Sequence, residues 1–183
     1  TIVASLVCIV FLGLAAIEEN FLREWKHYQN EFADILDRSA TTPAQKLAAD
    51  EFTVEVKQVI LNDLKRVDRC VSCHNGIDNP NMADAPLPHR VHSGEIIKNH
   101  PVEKYGCSIC HDGQDRALSR EQAFATSESV HWDYPVIPLK HTQSACGKCH
   151  LALSDDEQEL AGGEALMHGR ELFYENGCLG CHK

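Results

Sequence analysis

Four times in this chain two cysteines three positions apart are followed at once by a histidine: Cys70-Val-Ser-Cys73-His74, Cys107-Ser-Ile-Cys110-His111, Cys146-Gly-Lys-Cys149-His150 and Cys178-Leu-Gly-Cys181-His182. Thiols at i and i+3 lie along one turn of helix, where both reach the vinyl groups of a single porphyrin, and a histidine at i+4 reaches its iron. The spacing predicts four covalent c-type haems, with the eight cysteines as thioether positions and His74, His111, His150 and His182 as proximal iron ligands. The chemistry of such a constellation is the movement of electrons. Zinc ribbons use the same two-residue cysteine spacing, but they do not require a histidine after each second cysteine, and this chain supplies one every time. The same histidines speak against a disulfide framework.

Seven histidines lie outside the motifs: His27, His89, His92, His100, His131, His141 and His168. In an ordinary domain a spare histidine is a surface or core residue. In a region with three haems and little other core, a second histidine on each iron is the expectation. We expect His92, His100 and His131 in that role, because His100-Pro101 precedes a motif and His131-Trp132 follows one. His89, three residues before His92, either points away or replaces it. His141, five residues before Cys146, is a reserve, and Met82 offers a His/Met alternative. His27 and His168 are expected to stay clear of iron.

The run Thr1 to Ile17 carries no charge, and at helical rise it covers roughly 25 Å, near the lower limit for a bilayer core. It reads as a retained transmembrane anchor, with a few residues expected upstream of Thr1. Leu14-Ala15-Ala16 is a poor cleavage site, which leaves a cleaved signal peptide as the competing reading. Cys8, the one cysteine outside the motifs, sits in this run as a small hydrophobe facing lipid or a partner helix. Covalent haem is attached on the outer side of energy-transducing membranes, so the remainder is expected in the periplasm or its equivalent, on the outer face of the cytoplasmic (inner) membrane.

Beyond the anchor, Phe21, Trp25, Tyr28, Phe32 and Ile35 recur at helical spacing, which predicts an apolar stripe on a helix continuing from the membrane and packing on another helix. Thr41-Thr42-Pro43 ends it. Phe52-Thr-Val54-Glu-Val56 alternates with period two and predicts a short strand. Between Arg69 and His150, six prolines exclude long helices. Ser154-Asp-Asp-Glu157 has the spacing of a capping box, and Gly162-Gly163 predicts a hinge before a helix that leads into the fourth motif.

The expected architecture is mainly α with much coil. Residues 1–40 form the transmembrane helix and juxtamembrane amphipathic helix, 41–150 a haem-packed three-haem body, and 151–183 an acidic hinge and the start of a one-haem module. The formal charge of −10 excludes nucleic acid as a natural partner and favours basic or neutral protein docking surfaces. Aromatic residues make up 7% of the chain, which is thin for a core, and four porphyrins would supply the missing apolar mass.

The segment Gly169-Arg-Glu-Leu172-Phe173 through Cys178 resembles the opening of small single-haem cytochrome c domains. That family continues with a stretch carrying a methionine as distal ligand, so the resemblance implies chain beyond Lys183. The residues Val67-Asp-Arg69-Cys70, His100-Pro101, Gly106-Cys107, Gly113-Gln114, His131-Trp132 and Ser144 to His150 resemble multihaem cytochrome subunits of bacterial quinol-oxidising complexes. Those accompany cytochrome b and Rieske-type proteins, or belong to the alternative complex III. The resemblance implies a non-enzymatic electron-carrier subunit whose partners are the membrane, other subunits of a respiratory complex, and a redox protein as donor or acceptor. Electrons from quinol oxidation would pass to a periplasmic or oxidase-bound acceptor. The alternatives are a small membrane quinol dehydrogenase feeding a periplasmic reductase and, third in order, a multihaem reductase with an open iron site.

Overall fold

The computed structural model describes residues 2–125, 131–150 and 160–182. Its first helix, α1 (Ile2–Ile17), contains no charged residue and no buried one. Within the helical run Ile2–Ser39 an 18-residue window near the N-terminus has a mean hydropathy of 2.2, so the run is long and apolar enough to cross a membrane. A π-helical turn, Glu18–Leu22, follows. Arg23 then leaves helical geometry with φ −67° and ψ 128°, and its guanidinium lies 3.3 Å from Glu18 and 2.6 Å from Glu19. The helix expected to continue unbroken from the anchor is therefore interrupted.

The second helix, α2 (Glu24–Ser39), carries the apolar stripe, with Trp25 and Phe32 buried. Phe21 lies before the break and is 77% exposed. Part of the stripe packs on the chain's own coil: Phe32 joins Met82 and Ala85 in a core cluster flanked by Ile35, Leu36, Phe52 and Val91. The third helix, α3 (Pro43–Asp50), begins where α2 was expected simply to end, because Thr42 and Gln45 form a capping box around Pro43.

Phe52 to Val56 is not a strand. The backbone polar groups there are satisfied by side chains: Glu55 N–H donates to Gln29 Oε1 at 2.9 Å, and the Glu55 carbonyl accepts from Gln29 Nε2 at 2.7 Å. Just beyond, Lys57 N–H donates to Ser72 Oγ at 2.9 Å. With those groups taken, ladder pairing starts later. It forms the hairpin of β1 (Val59–Leu61) and β2 (Arg66–Asp68), paired antiparallel as Val59 with Asp68, Ile60 with Val67 and Leu61 with Arg66.

From here to His150 the helical pieces are short: α4 (Ile96–Asn99), α5 (Val102–Tyr105), α6 (Ser108–His111), α7 (Arg120–Phe124) and a 3₁₀ run, Leu139–Lys148. The last helix, α8 (Glu164–Glu175), follows Gly162, whose φ of 80° sets the entry turn. Its first N–H groups dock on the 3₁₀ run, Ala165 N–H at 2.7 Å and Leu166 N–H at 3.3 Å from Gln143 Oε1. The Ser154 to Glu157 capping box lies outside the described residues.

Candidate functional site

All four Cys-x-x-Cys-His segments fold into the same turn. The second cysteine's N–H donates to the first cysteine's carbonyl at 3.1 Å (Cys73), 3.1 Å (Cys110), 3.2 Å (Cys149) and 3.1 Å (Cys181). The histidine's N–H donates to that same carbonyl at 2.9 Å (His74), 3.0 Å (His111), 2.9 Å (His150) and 3.0 Å (His182). This bifurcated bond fixes two thiols and one imidazole on a single helical turn. All nine cysteines are free thiols, although each motif holds its pair three residues apart. Burial and the charge of Glu24 push the Cys73 thiol up to about 11, and burial raises Cys110 as well. Thiols held protonated are poor nucleophiles in disulfide exchange.

The first and second turns are joined by one buried carboxylate. Asp68, at the end of β2, has no exposed surface. Its Oδ1 accepts from Cys70 N–H at 3.0 Å, and its Oδ2 accepts from Cys107 N–H and Ser108 N–H at 2.8 Å each. Burial pushes this carboxyl up, but the three N–H donors outweigh it and hold it below the usual carboxylate range. Asp68 thus caps two motifs at once, and it draws Cys70 and Cys107 together, with ligating atoms of all three within 4.8 Å. Among the described residues this is the one such cluster of three, and its carboxylate is already committed to backbone donors. It lacks the four free N/S ligands a structural zinc site needs.

Gly106 makes that capping possible. Its φ is +65°, and a Cβ there would lie 2.9 Å from Leu61 Cδ1 and 3.0 Å from Asp68 Oδ2. We expect Gly106→Ala to destabilise the protein by about 1–3 kcal/mol through strain at positive φ. Denaturant unfolding of the natively purified protein measures this, and an unchanged midpoint would show the contact to be slack.

The second and third turns are tied by Lys148, which bonds the Asp112 carboxylate at 2.7 Å and the Ile109 carbonyl at 3.4 Å. Cys110 lies close enough to Cys146 for its thiol to respond to it. The first turn is pinned to α2 by Gln29, fully buried, which donates to the Ser72 carbonyl at 3.0 Å. Burial lowers the His74 imidazole, and the nearby Pro88 carbonyl partly offsets that fall.

Of the expected second ligands, the fold brings His92 to His111, ring centres 6.2 Å apart, and His100 to His150, 6.1 Å apart. His92 Nδ1 donates to the Ser93 carbonyl at 2.8 Å and His100 Nδ1 to that of Ile96 at 3.1 Å. His131 is not brought to a motif. It is exposed, with Nε2 3.2 Å from Asp133. His89 is fully buried between Tyr28 and Phe32 and lies 3.4 Å from Glu31. Met82 is a core residue, and His27, His141 and His168 are exposed.

Sequence reading quotes Asp68 and Gly106 only within a resemblance, with no role, and misses the roles of Gln29 and Ser72 altogether. Only Asp68 carries a legible signal, an Asp two residues before a helical turn, which is a capping pattern. Comparison with protein-family models, with curated proteins and with solved structures finds no match to this chain.

Proposed function

We propose that this chain is a membrane-anchored tetrahaem c-type cytochrome that relays electrons from quinol oxidation to a periplasmic or oxidase-bound acceptor. The observation that carries the reading is the four-fold repetition of one turn. Four segments far apart in sequence adopt the same bifurcated backbone hydrogen bond, a turn on which side chains at i, i+3 and i+4 are neighbours. When bound, haem supplies reversible one-electron transfer at iron. The residues fit that group. Each pair of thiols is free, and a second imidazole lies near both His111 and His150, with ring centres 6.2 Å and 6.1 Å apart.

The chain's own bonds keep the turns in sequence. Asp68 holds the first to the second, Lys148 the second to the third, and Gln143 docks α8, which leads to the fourth. Gln29 fixes the first turn to the helix that follows the anchor. Gln29 follows Ile17, the end of the apolar helix, by 12 positions. Electrons from a membrane donor would enter there.

Intact mass of the natively purified protein tests the cofactor, and the expected increment over the polypeptide is four haem groups. An increment of three or fewer removes at least one motif from the proposal. Subunits that co-purify in detergent test the partner, and purification as a lone chain with its own quinol-oxidising activity would favour the quinol dehydrogenase instead.

A further inference from the structure

We infer that His92 is the second axial ligand of the haem held by Cys107, Cys110 and His111, and that His100 is the second axial ligand of the haem held by Cys146, Cys149 and His150. The pairing rests on the tetrahaem reading above and adds to it the crossed connectivity of the ligands.

Metrical fit is the first ground. An imidazole nitrogen sits about 2 Å from its metal and about 1.1 Å from its own ring centre, so two imidazoles on opposite sides of one iron have centres about 6.2–6.3 Å apart. The observed separations are 6.2 Å and 6.1 Å. The interplanar angles of 64° and 74° add no obstacle, because each ring is free to turn about the axis through the metal.

Availability of the right nitrogen is the second ground. In both spare histidines Nδ1 is occupied by a backbone carbonyl, Ser93 for His92 and Ile96 for His100. That bond fixes the proton on Nδ1 and leaves the Nε2 lone pair for a metal, which is the usual arrangement of a metal-binding histidine. His131 shows the opposite state, with Nε2 on Asp133.

Local structure explains why these two reach different motifs. His92 N–H donates to the Ile77 carbonyl at 2.8 Å, folding the segment after the first motif back on itself. His100 closes α4, its N–H donating to Ile96 at 3.0 Å, and its ring packs edge-on against Tyr105 of α5 at 5.2 Å. The two therefore stand on either side of a short helical corner, and the chain passes from a ligand of the second haem to a ligand of the third before either motif begins.

The test uses the full-length loaded protein. His92→Ala and His100→Ala should each keep four haems by pyridine haemochrome and intact mass, while one low-spin signal in electron paramagnetic resonance becomes high-spin. Connectivity is read in two further backgrounds. With Cys107→Ala and Cys110→Ala removing the second haem, His92→Ala should add no high-spin signal and His100→Ala should still add one. With Cys146→Ala and Cys149→Ala the two outcomes exchange. Four haems with unaltered low-spin signals in His92→Ala, or the reverse pattern in the two backgrounds, overturns the pairing and leaves the tetrahaem reading standing. A protein that carries no haem overturns both. Should the three-haem backgrounds fail to assemble, a density map of the native protein decides, since any imidazole other than His92 opposite His111, or other than His100 opposite His150, refutes the inference.

Discussion

Replacing Asp68 by Ala is expected to cost about 3–5 kcal/mol of stability, because one buried and two part-buried N–H donors then lose their acceptor and each orphaned donor costs roughly 1–3 kcal/mol. Those donors belong to Cys70, Cys107 and Ser108, so the loss falls on the two motifs that Asp68 joins. Asp68→Asn should cost less, about 2 kcal/mol, since its amide oxygen still accepts while its NH₂ faces donors. The pH dependence follows from the same bonds. The folded carboxyl is held below its ordinary value, so its contribution is fully present above the ordinary carboxylate pKa near about 4 and is lost as pH falls through the lower folded value. Wild-type stability should therefore drop on acidification below about pH 4, and Asp68→Asn should flatten that part of the curve. Denaturant midpoints of the natively purified protein between neutral and acid pH measure both effects. A midpoint for Asp68→Ala equal to wild type would show that the donors find other partners.

The second expectation is that the chain has no cooperative fold when all eight motif cysteines are replaced by alanine. Among the described residues the buried apolar side chains are Trp25, Phe32, Leu61, Met82, Val102 and three alanines, 85, 125 and 145. A core of that size is what chains far shorter than this one bury, and such chains need a staple of disulfide, metal or cofactor. No disulfide is present, and the two-stranded hairpin supplies little independent stability. Far-ultraviolet dichroism of the cysteine-free protein should show α1 and α2 helicity in detergent with a broad, gradual thermal melt. A sharp sigmoidal transition would demonstrate that the polypeptide alone is sufficient.

Much of this molecule is decided within a few neighbouring residues, and that part is legible from the sequence. A Cys-x-x-Cys-His segment is one helical turn long, so its spacing alone states which atoms share a face, and the four turns adopt a common geometry. An uncharged run of 17 residues specifies an apolar helix in the same local way, and prolines between Arg69 and His150 keep the helices there short. Tertiary structure decides the rest, because it depends on pairs that no local pattern connects. Phe52 to Val56 alternates like a strand, yet Gln29, 26 residues away, takes the hydrogen bonds of Glu55. Asp68 reaches donors 39 and 40 residues on. His92, His100 and His131 look alike in sequence as spare imidazoles, but only folding brings the first two to His111 and His150 and turns the third toward Asp133. Covalent spacing fixes which residues share a turn, whereas long-range contacts compete for the same polar groups, and the competition is settled only when the whole chain is folded.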